Sequence, residues 1–224
     1  MRSKNSNGLP FLGHPLYGWA MVAPSFARLD TEYLRLTDHD VADPPRPEDL
    51  VRHPAPLSPV LSGELDGAAQ ALDSSAEELL LAALARTIGR TIGTGTVVVG
   101  LADHGPLTLA CATEKTISAT DLLTGVRTSL GARTPAAGGA REIAVTFSGP
   151  VSELPDSPCH AIELRIHRSH DRVHLDWWYD PARFYPYTVV ELAEQFPLAL
   201  IEVCSEATVP SVPRPARSLI CTAP

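Results

Sequence analysis

The chain has 224 residues, of which 44% are apolar and 20% charged, with a formal net charge of -8. That balance suits one domain of moderate size with or without a loose arm, and it excludes chain-wide disorder. The acidic surplus, with no stripe of Lys and Arg to displace counterions, excludes a nucleic-acid partner and argues against anionic membranes, and no run approaches the ~20 apolar residues that cross a bilayer.

The N-terminus starts basic, but Gly13, His14, Pro15 and Tyr17 interrupt any apolar signal core, so a cytoplasmic protein is expected. Residues 1–56 are rich in proline, with only Phe26 to Leu36 suited to a short helix or strand. Pro44, Pro45, Pro47, Pro54, Pro56 and Pro59 remove backbone donors and restrain their neighbours, so this stretch is expected to be an extended arm or linker. Regular structure is expected from near Val60. Ser74-Ser75 followed by Glu77-Glu78 is a helix-start signal, and Leu79 to Ile92 is apolar over a face wide enough for a buried helix. Gly93 stops it.

Thr96–Ala102 is a continuous β-branched run, expected as a strand covered on both faces. Asp103-His104-Gly105-Pro106 is turn chemistry, and Pro106–Ala112 returns as a second strand. Leu122, Leu123, Val126 and Leu130 have helical spacing. Glu142–Gly149 reads as a strand. HAIELRIHRS and DRVHLDWWYD form a hairpin in which Glu163, Arg165 and His167 alternate with Ile162, Leu164 and Ile166, giving one wet and one dry face. A last helix is expected from Pro181 onward, kinked or split at Pro197. Residues 207–224 form a proline-rich tail. The succession predicts an α/β fold in which helices pack on a mixed β-sheet.

Three segments resemble one family. ELLLAALARTIGRTIGTGTVVVGLADHG resembles the helix and VVVG strand of the condensation and epimerization domains of nonribosomal peptide synthetases. EIAVTFSGP is similar to the Phe-Asn-Tyr-Leu-Gly strand of epimerization domains. HRSHDRVHLDWWYDPARFYPYTVVELAEQFPLALIEV resembles their final hairpin and helix, with aromatic and aliphatic positions in register. The resemblance covers residues 57–206 and leaves 1–56 as an arm and 207–224 as a tail. It implies a chloramphenicol-acetyltransferase-like half domain, the C-terminal lobe of a two-lobed domain with a tunnel between the lobes. It also implies that phosphopantetheine is carried by a partner, a carrier protein or synthetase module, and that the chain needs no cofactor of its own. Pairing of the lobe with itself is the alternative partner.

The family's His-His-x-x-x-Asp-Gly motif belongs to the other lobe, and this sequence contains no His-His pair. An accessory or docking role is therefore the leading expectation. A small enzyme performing acyl transfer, epimerization or cyclization on a carrier-bound substrate is the second. For the second reading the candidates are His104, a natural base near neutral pH in the turn after a strand, and Thr146, which takes the family's asparagine position. Asp103, Phe147 (the family's tyrosine position) and Trp178 are candidates for a substrate or partner surface. His160, His167 and His174 alternate with strand spacing, but without cysteine or carboxylate geometry they are expected to be exposed, and no metal is expected. The cysteines Cys111, Cys159, Cys204 and Cys221 are scattered with no CxxC pair, and read as buried thiols plus one in the tail.

Overall fold

In the computed structural model residues 32–43, 45–101, 105–132, 143–147, 160–210 and 212 are described. Serines open two successive helices. Ser58 accepts from the Leu61 N–H with Pro59 at the first helical position, starting α1 (Pro59–Ala71). Ser75 and Glu78 form a reciprocal capping box at the head of α2 (Ala76–Thr91), which satisfies two of the free donors at that end. Gly93 closes α2 at φ 142°, a conformation that favours glycine, and donates back to the Ile88 carbonyl at 3.1 Å. Residues Glu78 to Gly89 are all buried. Gly89 lies so close to the Ala112 backbone that a Cβ there would collide with it.

The strands are β1 (Val51–Pro54), β2 (Gly95–Leu101), β3 (Gly105–Cys111), β4 (Ile143–Phe147), β5 (Ile162–Ser169) and β6 (Arg172–Tyr179), with α3 (Ala119–Ala132) and α4 (Pro186–Glu206) completing the described elements. They form one mixed sheet in the order β1-β6-β5-β4-β2-β3. β2–β4 and β4–β5 run parallel, and the other pairs are antiparallel. Alternate residues, among them Val97, Val99, Leu109, Ile143, Val145, Leu164, Leu175 and Trp177, turn into a single core with the helices. Trp177 meets Phe196 of α4 edge-on, with centroids 6.0 Å apart, and Ser62 of α1 accepts from the Val173 N–H. The α/β half domain is thus a mixed sheet with its helices packed together against one face. Val97, Val98 and Val99 are all buried, as the β-branched run implied.

Two buried arginines tie the helical layer together. Arg86, with no exposed surface, donates to the Ala112 and Ile117 carbonyls, both at 2.6 Å, and pairs with Glu202 of α4 at 3.0 Å. Arg127 of α3 donates to the Asp73 carbonyl at 2.6 Å and the Ser74 hydroxyl at 2.8 Å, and pairs with Glu78 at 3.1 Å. It also reaches the Val212 carbonyl, so the start of the expected tail is held to the domain.

Four expectations need correction. The arm does not end at residue 56. Leu34 donates to Thr96, Leu36 is core, β1 pairs with β6, and Ala55 and Leu57 continue that pairing. β6 would otherwise leave an open edge, and a short strand ending in Pro54 is tolerated there because an edge needs donors on one side only. α1 is a separate helix that the sequence pattern does not announce. The last helix starts at Pro186 rather than Pro181, and it runs continuously through Pro197; packing of Val189, Leu192, Phe196, Leu200 and Val203 holds it across the missing donor. The hairpin's wet face is largely buried, as described next. Among the described residues no helix is long and apolar enough to cross a membrane.

Candidate functional site

The sheet face turned away from the helices carries the polar residues that the hairpin alternation placed opposite the core. Strand register lines them up in rows. Arg52, Trp178, Glu163, Ala144, Gly100 and Pro106 lie across the sheet in one row, from β1 to β3. Pro54, Asp176, Arg165 and Thr146 form the next, and His174 faces His167 in the third. Asp176 and Trp178 are only 2% and 7% exposed.

Buried charges need partners, and these have them. Arg52 contacts the Asp176 carboxylate at 2.8 Å. Arg165 contacts Glu163 at 2.6 Å and holds its guanidinium 5.8 Å above the centre of the Trp178 ring. His167 Nδ1 stands 3.8 Å from the other Asp176 oxygen, beyond a hydrogen bond. Its ring stacks on His174, with centroids 5.0 Å and planes 10° apart. Burial pushes the His167 pKa below its usual value, Asp176 opposes that shift, and His174 and Arg52 reinforce it. The imidazole is therefore neutral at pH 7. It is chemically able to accept a proton, and the adjacent carboxylate would favour the resulting cation. The indole N–H of Trp178 is buried and has no hydrogen-bond partner among the described residues, an uncommon state for a buried donor.

Two of the sequence candidates share this face. Thr146 lies beside Arg165 in the Asp176 row, and Trp178 lies one row away. Phe147 points the other way, opposite Ile166, and packs against the core. Asp103 and His104 lie outside the described residues, between β2 and β3, as do Cys159 and Cys221. His167 and His174 meet, whereas His160 lies beside Gly100. No group of three or more His, Cys, Asp or Glu suited to a metal occurs among the described residues. Arg52, Arg165, His167 and Asp176 do not stand out as a group in the sequence. The two-residue turn His170-Asp171 carries the signal, because it fixes Arg165 opposite Asp176 and His167 opposite His174.

No family model matches the chain. One component of the phenolphthiocerol/phthiocerol polyketide synthase of Mycobacterium tuberculosis is 30% identical over 230 residues, spanning 77% of this chain and 16% of that protein. Its Mycobacterium bovis counterpart gives the same figures. Among solved structures, the epimerization domain from the third module of tyrocidine synthetase B superposes with a TM-score of 0.60 at 16% identity, over 80% of this chain and 52% of that one. The condensation domain of the monacolin K polyketide synthase gives 0.59 at 12%, over 81% and 55%. The X-domain from teicoplanin biosynthesis, solved in complex with OxyB, gives 0.57 at 16%, over 80% and 50%.

The fold is that of the condensation and epimerization domains, in the half that corresponds to their C-terminal lobe. The chain spans about half the length of these solved structures and about one sixth of the curated synthase proteins it matches.

Proposed function

We propose that this chain acts in nonribosomal peptide or mixed peptide-polyketide biosynthesis as an accessory lobe that docks onto a carrier protein or synthetase module. The observation that supports the reading is the match to three condensation-type structures, of which 50–55% is covered. The polyketide synthase relative supports an assembly-line setting. The X-domain in complex with OxyB is an instance of this fold bound to another protein in a different system. The polar sheet face fits the reading too, because its charged groups are engaged with one another.

The second reading is an enzyme acting on a carrier-bound acyl or peptidyl substrate. It is favoured by one observation, the neutral His167 imidazole next to Asp176 on the face that also carries Thr146 and Trp178. The phosphopantetheine would come with the partner in either case.

The two readings separate in one experiment. Carrier proteins loaded with aminoacyl- or acyl-phosphopantetheine are titrated with the chain, complex formation is followed by calorimetry, and the acyl group is followed by intact-protein mass spectrometry. The docking reading predicts a saturable complex with an unchanged acyl group. Turnover that is lost in Thr146→Ala or His167→Gln would establish the enzyme instead, and absence of any complex would remove the docking role.

A further inference from the structure

The outer side of α4 carries a stripe that the packing leaves unused. Tyr187, Glu191, Glu194, Leu198 and Ile201 follow at steps of four and three residues, so they share one helix face. All five are exposed, with Tyr187, Leu198 and Ile201 at 65%, 53% and 46%. The Tyr187 ring is held in place: it stacks on Tyr185 with centroids 5.1 Å apart, and His39 meets Tyr185 edge-on at 4.4 Å. Rigid aromatic side chains of this kind anchor interfaces.

The charge on this helix is one-sided. Residues 186–206 include no Lys, Arg or His. Of the four glutamates only Glu202 is matched, by Arg86 and Arg90. Glu191, Glu194 and Glu206 are exposed, with no ion-pair partner among the described residues. A second copy of α4 has no cation to offer them, so self-pairing through this face would leave the carboxylates unanswered.

We propose that this face docks an amphipathic helix of a partner protein whose seam is apolar at both ends and basic in the middle. Its end residues would cover Tyr187 on one side and Leu198 with Ile201 on the other, and Lys or Arg between them would meet Glu191 and Glu194. At 1.5 Å rise per residue the stripe is about 21 Å long, or roughly four turns of a partner helix. The proposal rests on the docking reading for the origin of the partner, but the surface is tested without a carrier protein, so the two fail separately.

The probe is a synthetic helical peptide with a leucine seam and central lysines, together with a twin in which the lysines are glutamates. Binding to the full chain is measured by fluorescence anisotropy at low and high salt. The lysine peptide is expected to bind at least about tenfold more tightly than its twin, and to weaken with salt. Glu191→Lys/Glu194→Lys should cost at least about tenfold for the lysine peptide and improve binding of the glutamate twin. Leu198→Ala/Ile201→Ala should weaken both. Glu48→Lys/Asp171→Lys, which reverses two exposed charges elsewhere, should change nothing. The proposal is overturned by equal binding of the two peptides, by no binding at all, by insensitivity to the α4 changes, or by an equal loss in the control variant. A concentration-dependent dimer of the chain that Leu198→Lys/Ile201→Lys dissolves would also overturn it.

Discussion

Arg86→Met removes the cation that joins α2 to α4 and to the segment after β3, while keeping most of the side chain's length and helix preference. Arg86 is fully buried. Its guanidinium makes two short hydrogen bonds, to the Ala112 and Ile117 carbonyls, and pairs with Glu202. Charge-assisted hydrogen bonds contribute about 1.5–3 kcal/mol each, and the two carbonyls would be left unanswered. Against that, a buried cation no longer has to be desolvated, and Glu202 keeps Arg90 at 2.7 Å. The net expectation is a loss of about 3–4 kcal/mol. At roughly 2–4 °C per kcal/mol for a chain of this size, Tm should fall by roughly 6–16 °C. Urea unfolding followed by circular dichroism gives the free energy directly. Arg86→Met/Glu202→Met should lose less than the sum of the single changes, with a coupling of about 1 kcal/mol or more. If Arg86→Met stays within about 1 kcal/mol of the parent, or the pair is additive, the buried ion pair does not hold these layers together.

Leu57 is core although it lies at the end of the proline-rich stretch, so Leu57→Ala should cost about 2–5 kcal/mol, whereas a solvated linker residue would cost nothing measurable. Because folding lowers the His167 pKa, the unfolded chain binds more protons as pH falls through and below about 6.5; urea unfolding at pH 7.5 and 5.5 should show stability dropping with acidification and a shallower slope in His167→Gln. Burial raises the Cys111 thiol pKa far above its usual value and the Cys204 thiol pKa to about 11. Site-resolved mass spectrometry after iodoacetamide treatment at pH 7.5 should therefore find both unmodified in the native protein and both modified in urea; rapid native labelling of Cys111 would show that its surroundings open.

Elements whose signals are local are legible in the sequence. Ser75 and Glu78 announce α2 through a capping box, the β-branched run announces β2, and a two-residue turn with alternating side chains announces the β5–β6 hairpin. Elements decided by tertiary pairing are not. β1 is four residues ending in proline, and it is a strand because β6 offers a free edge. α1 contains Gly63 and Gly67, which blur its apolar positions Leu61, Leu65 and Ala68. Pro197 has the local character of a break, but one missing backbone donor is outweighed by the buried face on both sides of it. On the polar sheet face, alternation identifies which residues share a side but not their burial. Arg52 arrives from a strand within the proline-rich stretch, and the Trp178 ring carries the Arg165 guanidinium, so residues expected in water are enclosed and paired. Thr146 and Trp178 are placed by family resemblance, and register then puts Arg165 and Asp176 between them.

Whether this lobe docks without doing chemistry is tested most directly by the paired titration with acyl-loaded carrier proteins. A saturable complex in which the phosphopantetheine-bound acyl group keeps its mass, stereochemistry and attachment over hours is the predicted result. Conversion of that acyl group by the parent chain, abolished in Thr146→Ala or His167→Gln variants that still fold, would contradict it.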